Sequence, residues 1–357
     1  MNFTELIPAA EAIPMKQGWF HFFLITGFML HILFVNLMIG GGVISLFALF
    51  SGKESLLPVR RVISRKMTVI FALAVNFGVL PFLFLQILYG QFIYVSSQLM
   101  AVYWLLIVLL AIAAYYSSYY SKFTFDSSPA AEPYFCGLTL LLLLFIAFIF
   151  SNNMTLMLNP KTWPAWFGNP DGTLLHLSDP ALFPRYLHFM TASVAVAGLF
   201  IALMQRMKKP EDRDDKSLAL GMKFFTAATL FQIPAGFWFQ MSLPRDIMYL
   251  FLGNSPVHTA LFTVSLLLII QILYFGMKKA VWPAAVSLLI LVFAMINIRD
   301  AVRTAYLDPY FHIRQIPVET QFFPFIIFAV SLFVTAAVIV YVLNLAKNIS
   351  VKKECDI

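Results

Sequence analysis

Charge is what this chain has least of. Asp, Glu, Lys and Arg make up 11% of its 357 residues, whereas a soluble domain carries near a quarter. With 61% hydrophobic residues alongside, that scarcity excludes a soluble globular protein and leaves a polytopic membrane protein. Cysteine is scarce too, with only Cys136 and Cys355. There is no CxxCH, which excludes covalently attached haem, and no CxxC metal spacing. The first residues carry Glu5 and Glu11 ahead of Lys16. They lack a basic stretch before a short apolar run and read as an exposed segment, not a cleaved signal. All seven glutamates (5, 11, 54, 132, 211, 319, 354) fall outside the expected spans, and the aspartates fall in loops or at helix ends. Proton delivery to a buried membrane site usually needs intramembrane carboxylates, so none is expected here.

Long apolar runs are what the chain has instead. Nine of helix-spanning length occur, at about 19–50, 67–96, 100–121, 134–158, 181–206, 218–242, 255–277, 279–300 and 321–346. They lack the alternation of a barrel strand and are expected to be helices. The fold class is therefore all-α, a single membrane domain over 1–357. Basic residues crowd the connections on one side, sixteen against seven, with Lys223 inside a span. Positive charge marks the cytoplasmic face, which predicts an outer N-terminus and an inner C-terminus. Internal similarity divides the chain into a first four-helix unit (19–158), a second (181–300) and a ninth helix (321–346). WFHF at 19–22 pairs with YLHF at 186–189, FGVLPFLFLQ at 77–86 with FQIPAGFWFQ at 231–240, and NNMTLMLNP at 152–160 with RDAVRTAYLDP at 299–309. Such repeats are common in membrane proteins and specify no single function.

On this topology all six histidines fall in the outer half of the membrane or beyond it. His21, His31, His188 and His258 lie on spans, whereas His176 and His312 lie in polar loops and read as solvated. A histidine at membrane depth is a haem ligand, a proton relay or an interhelical hydrogen bond. Haem ligation is the reading taken for His31, His188 and His258, with His21 either a further ligand or a partner of a propionate or water. Arg185, Arg299 and Arg303 gather at outer helix ends. Their guanidinium forks suit haem propionates, and snorkelling at a helix terminus is the competing account. Trp163, Trp166, Trp238 and Tyr94 read as an interfacial aromatic belt. Gly40–Gly42 reads as a site of close helix approach. Met154, Met190 and Met241 read as packing.

MLHILFVNLMIG at 29–40 resembles the first helix of cytochrome bd quinol oxidase subunit I. FALAVNFGV in the second helix, NNMTLMLNP closing the fourth and YLHF opening the fifth follow in the same order. The resemblance covers most of the chain in patches. It implies a haem-bearing membrane cytochrome in which His31 holds the active-site haem and His188 a low-spin haem, with His258 where the family has a methionine. The chain also departs from that family. The family's helix-three glutamates would fall near Tyr103 and Trp104. A carboxylate ligand would fall near Asn297, and a conserved arginine motif is reduced to Arg299. The long quinol loop shrinks to Leu243–Ser255. Together these features predict a haem b subunit (two or three haems) of the bacterial inner membrane that does not reduce oxygen. It would pass electrons between the quinone pool and a periplasmic partner such as a c-type cytochrome or another membrane subunit. A divergent terminal quinol oxidase and a histidine-dependent transporter are the alternatives.

Overall fold

An apolar run in lipid can satisfy its backbone only by closing its own hydrogen bonds, so each long run becomes a helix. The computed structural model describes residues 3–52 and 56–355, including the side chains of 5–52 and 56–345. Lys53 and Glu54, and the side chains of Lys347, Lys352, Lys353, Glu354 and Cys355, which enter the charge and cysteine counts above, lie outside the described residues. Among the described residues nine helices are long and apolar enough to cross a membrane, and there is no strand. They are α1 (Gln17–Phe50), α2 (Leu57–Leu99), α3 (Ala101–Ser127), α4 (Glu132–Leu158), α5 (Leu182–Arg206), α6 (Asp215–Met241), α7 (Pro256–Met277), α8 (Val281–Leu307) and α9 (Phe322–Cys355). A short helix, Arg245–Tyr249, lies between α6 and α7.

Every expected span is present, but hydropathy marks only the part of a helix that lipid surrounds. The hydrogen-bonded ladder continues past it. α2 begins at Leu57 and not at 67, and α8 runs to Leu307 and not to 300. This extension overturns one expectation. Glu132 opens α4 and is buried, accepting hydrogen bonds from Arg60 and, at 3.2 Å, from the Ser121 hydroxyl. Asp300 lies about two turns inside α8. The spanning helices therefore do contain buried or half-buried carboxylates, each matched to a cation.

The closest helix pairs are α1 with α2 and α5 with α6, joined across the centre by α1 against α5, while α3 packs on α4 and α7 on α8. Small residues permit these approaches. A Cβ on Gly40 would overlap the Ser193 carbonyl, and a Cβ on Gly198 would come within 2.7 Å of the Gly221 oxygen. Gly41 faces Ile63 and Met67 of α2, while Gly198 faces Gly221 and Phe225 of α6. These contacts follow one register, with a constant offset from α1 to α5 and another from α2 to α6. The belt reading fails for Trp163, which is 1% exposed and donates its indole N–H to the Leu156 carbonyl at 2.8 Å. Trp166, Trp238 and Tyr94 are exposed. The stretch ahead of α1 is pinned at buried Ile13, whose N–H donates to the Pro317 carbonyl at 2.9 Å. The α9 helix stands against the rest through Phe328, whose ring meets Phe23 at 5.8 Å; among its described side chains Ala329 is half-buried and the others are exposed.

Candidate functional site: two seated imidazoles beside a buried arginine cluster

Alternating helices joined by short connections bring the starts of α1, α5 and α7 and the ends of α4 and α8 to one end of the bundle. At that end α1 presents His31 to α2. The ring is seated against Gly78, where an added Cβ would stand 2.7 Å from Cε1 and 2.8 Å from Nδ1. Four residues before Gly78, the Ala74 carbonyl accepts a hydrogen bond from Nδ1 at 2.9 Å. A carbonyl can only accept, so Nδ1 carries the proton and Nε2 keeps its lone pair. No hydrogen bond involves Nε2 among the described residues. A ring fixed by backbone at one nitrogen and open at the other is what orients an imidazole as a ligand.

His188 shares the glycine seat on α5, with the roles of its two nitrogens exchanged. Its Cε1 and Nδ1 edge lies over Gly236 of α6, at 3.2 and 3.3 Å from the position of an added Cβ. Gln232, again four residues earlier, approaches Nε2 through its amide nitrogen at 3.4 Å. The Nδ1 atom is buried without a partner. His31 and His188 stand in the same register as Gly41 and Gly198, so they are the structural counterparts. Sequence similarity pairs His188 with His21, because the WFHF and YLHF strings match about three helical turns ahead of the structural counterpart.

His21 has another role. Its Nε2 lies 2.7 Å from Asp300 Oδ2, and Arg303 holds the other oxygen of that carboxylate. The Arg303 guanidinium lies over the Tyr89 ring at 4.5 Å and is 4% exposed. Arg299 lies 4.3 Å over Phe28, whose ring is 6.3 Å from that of His31, and its Nη2 donates to the Met154 sulfur at 3.6 Å. Arg185 donates to the Thr155 hydroxyl at 3.2 Å and faces Phe239 at 5.6 Å. Neither Arg185 nor Arg299 makes an ion pair among the described residues. The snorkelling account therefore fails for Arg185 and Arg303, which turn inward and are buried. Three guanidinium groups held largely out of water are matched by Asp300 and, near Arg185, by buried Asp179, which leaves one positive charge over, a setting that favours an anionic ligand.

His258 opens α7 with local partners, Ser255 at 2.7 Å from Nδ1 and the Phe251 ring at 5.8 Å. Its helix packs on α6, and α5 is not among its main neighbours. His176 lies 3.8 Å from Asp179, and His312 caps its own turn at Arg314. Three contributors went unnoticed in the sequence: Asp300, Gly78 and Gly236. The spacing of Asp300 and Arg303, three apart on one helix face, carried a readable signal. The glycines carried none, because nothing local says which imidazole sits on them. Among the described residues no group of three or more His, Cys, Asp or Glu gathers to hold a bare metal ion. A lone imidazole suits a metal whose other valences a macrocycle fills. No protein-family model matches the chain, and no curated protein matches its sequence.

Proposed function

We propose that the chain is a membrane electron-transfer subunit that binds b-type haem through His31 and His188, as its resemblance to cytochrome bd subunit I implies. One observation carries this reading: the backbone seat of His31, which pins Nδ1–H on the Ala74 carbonyl and leaves Nε2 with a free lone pair. Haem iron, when bound, alternates between ferrous and ferric states and so carries single electrons. Arg299 and Arg185 would meet the propionates, and His21 with Asp300 and Arg303 would supply the second layer of charge around them. His258 would complete the set as the second ligand of the His188 haem. The N-terminus would face the periplasm, and electrons would pass between the quinone pool and a periplasmic partner such as a c-type cytochrome.

The buried carboxylates favour one further reading, a divergent terminal quinol oxidase. Asp300 and Glu132 remove the absence that argued against proton handling. Purified protein decides between them. A redox difference spectrum should show b-type haem, with His31→Ala and His188→Ala each removing a different species. Quinol-driven oxygen uptake at an electrode would favour the oxidase. Purified protein without haem would overturn both.

A further inference from the structure

At the end of the bundle opposite the histidines a cavity of about 320 Å³ opens between the end of α5, the loop leading into α6 and the turn from α7 to α8. Arg206, Arg213 and Lys279 line it, with Asp215 as the only acidic lining residue. None of these cations makes an ion pair among the described residues, and the Arg213 Nε is buried without a hydrogen-bond partner. Leu218 and Val281 give the cavity an apolar floor, and Trp282 is exposed at its rim. The α5–α6 loop is folded back onto the bundle, since the Asp214 N–H donates to buried Gln205 at 3.3 Å. Arg213 is thereby held over the cavity.

The backbone at Lys279 supplies an independent observation. Lys279 has φ 53°, the sole non-glycine residue with positive φ among the described residues. Its N–H donates to the Gly276 carbonyl and the Ala280 N–H to the Phe275 carbonyl, at 3.1 and 2.9 Å. That is the helix-ending motif in which glycine usually occupies this position, because a side chain there strains the backbone. A lysine in place of glycine at such a position points to a use for its ammonium.

We propose that this cavity binds the phosphate of an anionic phospholipid headgroup, with Arg206, Arg213 and Lys279 holding the phosphate oxygens and the apolar floor receiving the start of an acyl chain. Helix ends and an exposed tryptophan belong at the membrane–water boundary, and basic pockets between spanning helices suit anionic headgroups. Free phosphate shares the chemistry, so the test separates the two sources. The whole protein, delipidated in detergent, is titrated with phosphatidylglycerol, phosphatidylcholine or inorganic phosphate, and bound lipid and melting temperature are measured. Phosphatidylglycerol should bind and raise the melting temperature, and phosphatidylcholine should not. Lys279→Gly and Arg213→Gln should each weaken phosphatidylglycerol binding about fivefold, given the usual attraction per cation. Lys279→Gly relieves the backbone and keeps the fold, so its melting temperature without lipid should hold or rise. Protection by inorganic phosphate at the same concentration, lost in both variants, would keep the anion site but assign it a soluble ligand and overturn the lipid. Equal binding of both lipids, or variants that bind as the parent does, would overturn the site.

Discussion

Replacing Gly78 with alanine tests the imidazole seat directly. The new methyl carbon would stand 2.7 Å from His31 Cε1 and 2.8 Å from Nδ1, whereas ordinary contact begins near 3.4 Å. One of the two groups must move by roughly 0.8 Å to reach the usual carbon–carbon separation. The methyl is fixed to helix backbone, so the ring moves, and its 2.9 Å bond to the Ala74 carbonyl breaks. Losing that bond costs about 1 kcal/mol and the crowding about 1–3 kcal/mol. A ligand tolerates misplacement of only about 0.5 Å, so the His31 haem should be lost or converted. Gly236→Ala is the internal comparison. Its methyl would lie 3.2 Å from His188 Cε1, a crowding that a few tenths of an ångström relieve, so the His188 haem should persist with at most a shifted band. Haem content by pyridine haemochrome and the reduced-minus-oxidised spectrum read both outcomes. Folded Gly78→Ala protein with the full haem complement and an unshifted spectrum would refute the reasoning.

Other substitutions probe the frame around the site. Gly40→Ala should cost at least the upper end of about 1–3 kcal/mol, because its methyl overlaps the Ser193 carbonyl. Gly41→Ala, whose methyl meets Ile63 no closer than 3.4 Å, should be tolerated, and thermal unfolding in detergent ranks the pair. Asp300→Asn strands Arg303 in a buried setting and should cost about 3–5 kcal/mol. His21→Ala leaves the Asp300–Arg303 pair intact and should cost about 1 kcal/mol in the same assay. Asp214 caps α6. Partial burial raises its carboxyl pKa, but hydrogen bonds from the Ser217 hydroxyl and the Ser217 and Lys216 N–H groups outweigh this and hold it below the usual carboxylate range. Its stabilisation is therefore present above the unfolded-state pKa and is lost as pH falls through the folded one. Asp214→Ala should cost about 1 kcal/mol near neutrality and progressively less in acid, as pH-resolved unfolding would show.

Which stretches form helices long and apolar enough to cross a membrane could be read directly from the chain, because a long apolar run in lipid leaves its backbone no alternative to a helix. The gathering of the histidines at one end also followed, since short connections force neighbouring helices to alternate in direction. Helix ends were less legible. Charged residues such as Arg60 and Asp300 lower the hydropathy of a segment without breaking its hydrogen bonds, so buried Glu132 and half-buried Asp300 passed for residues outside the spans.

Partnership was a matter for tertiary structure alone. His21 and His31 sit ten residues apart on one helix and look interchangeable as ligands. One meets a carboxylate of α8 and the other a backbone carbonyl of α2. Which nitrogen of each ring is engaged, Nε2 of His21 or Nδ1 of His31, depends on the rotation of α1 against its neighbours. That rotation is set by where Gly40 and Gly41 let other helices approach, and close packing between distant segments leaves no local trace in the order of residues.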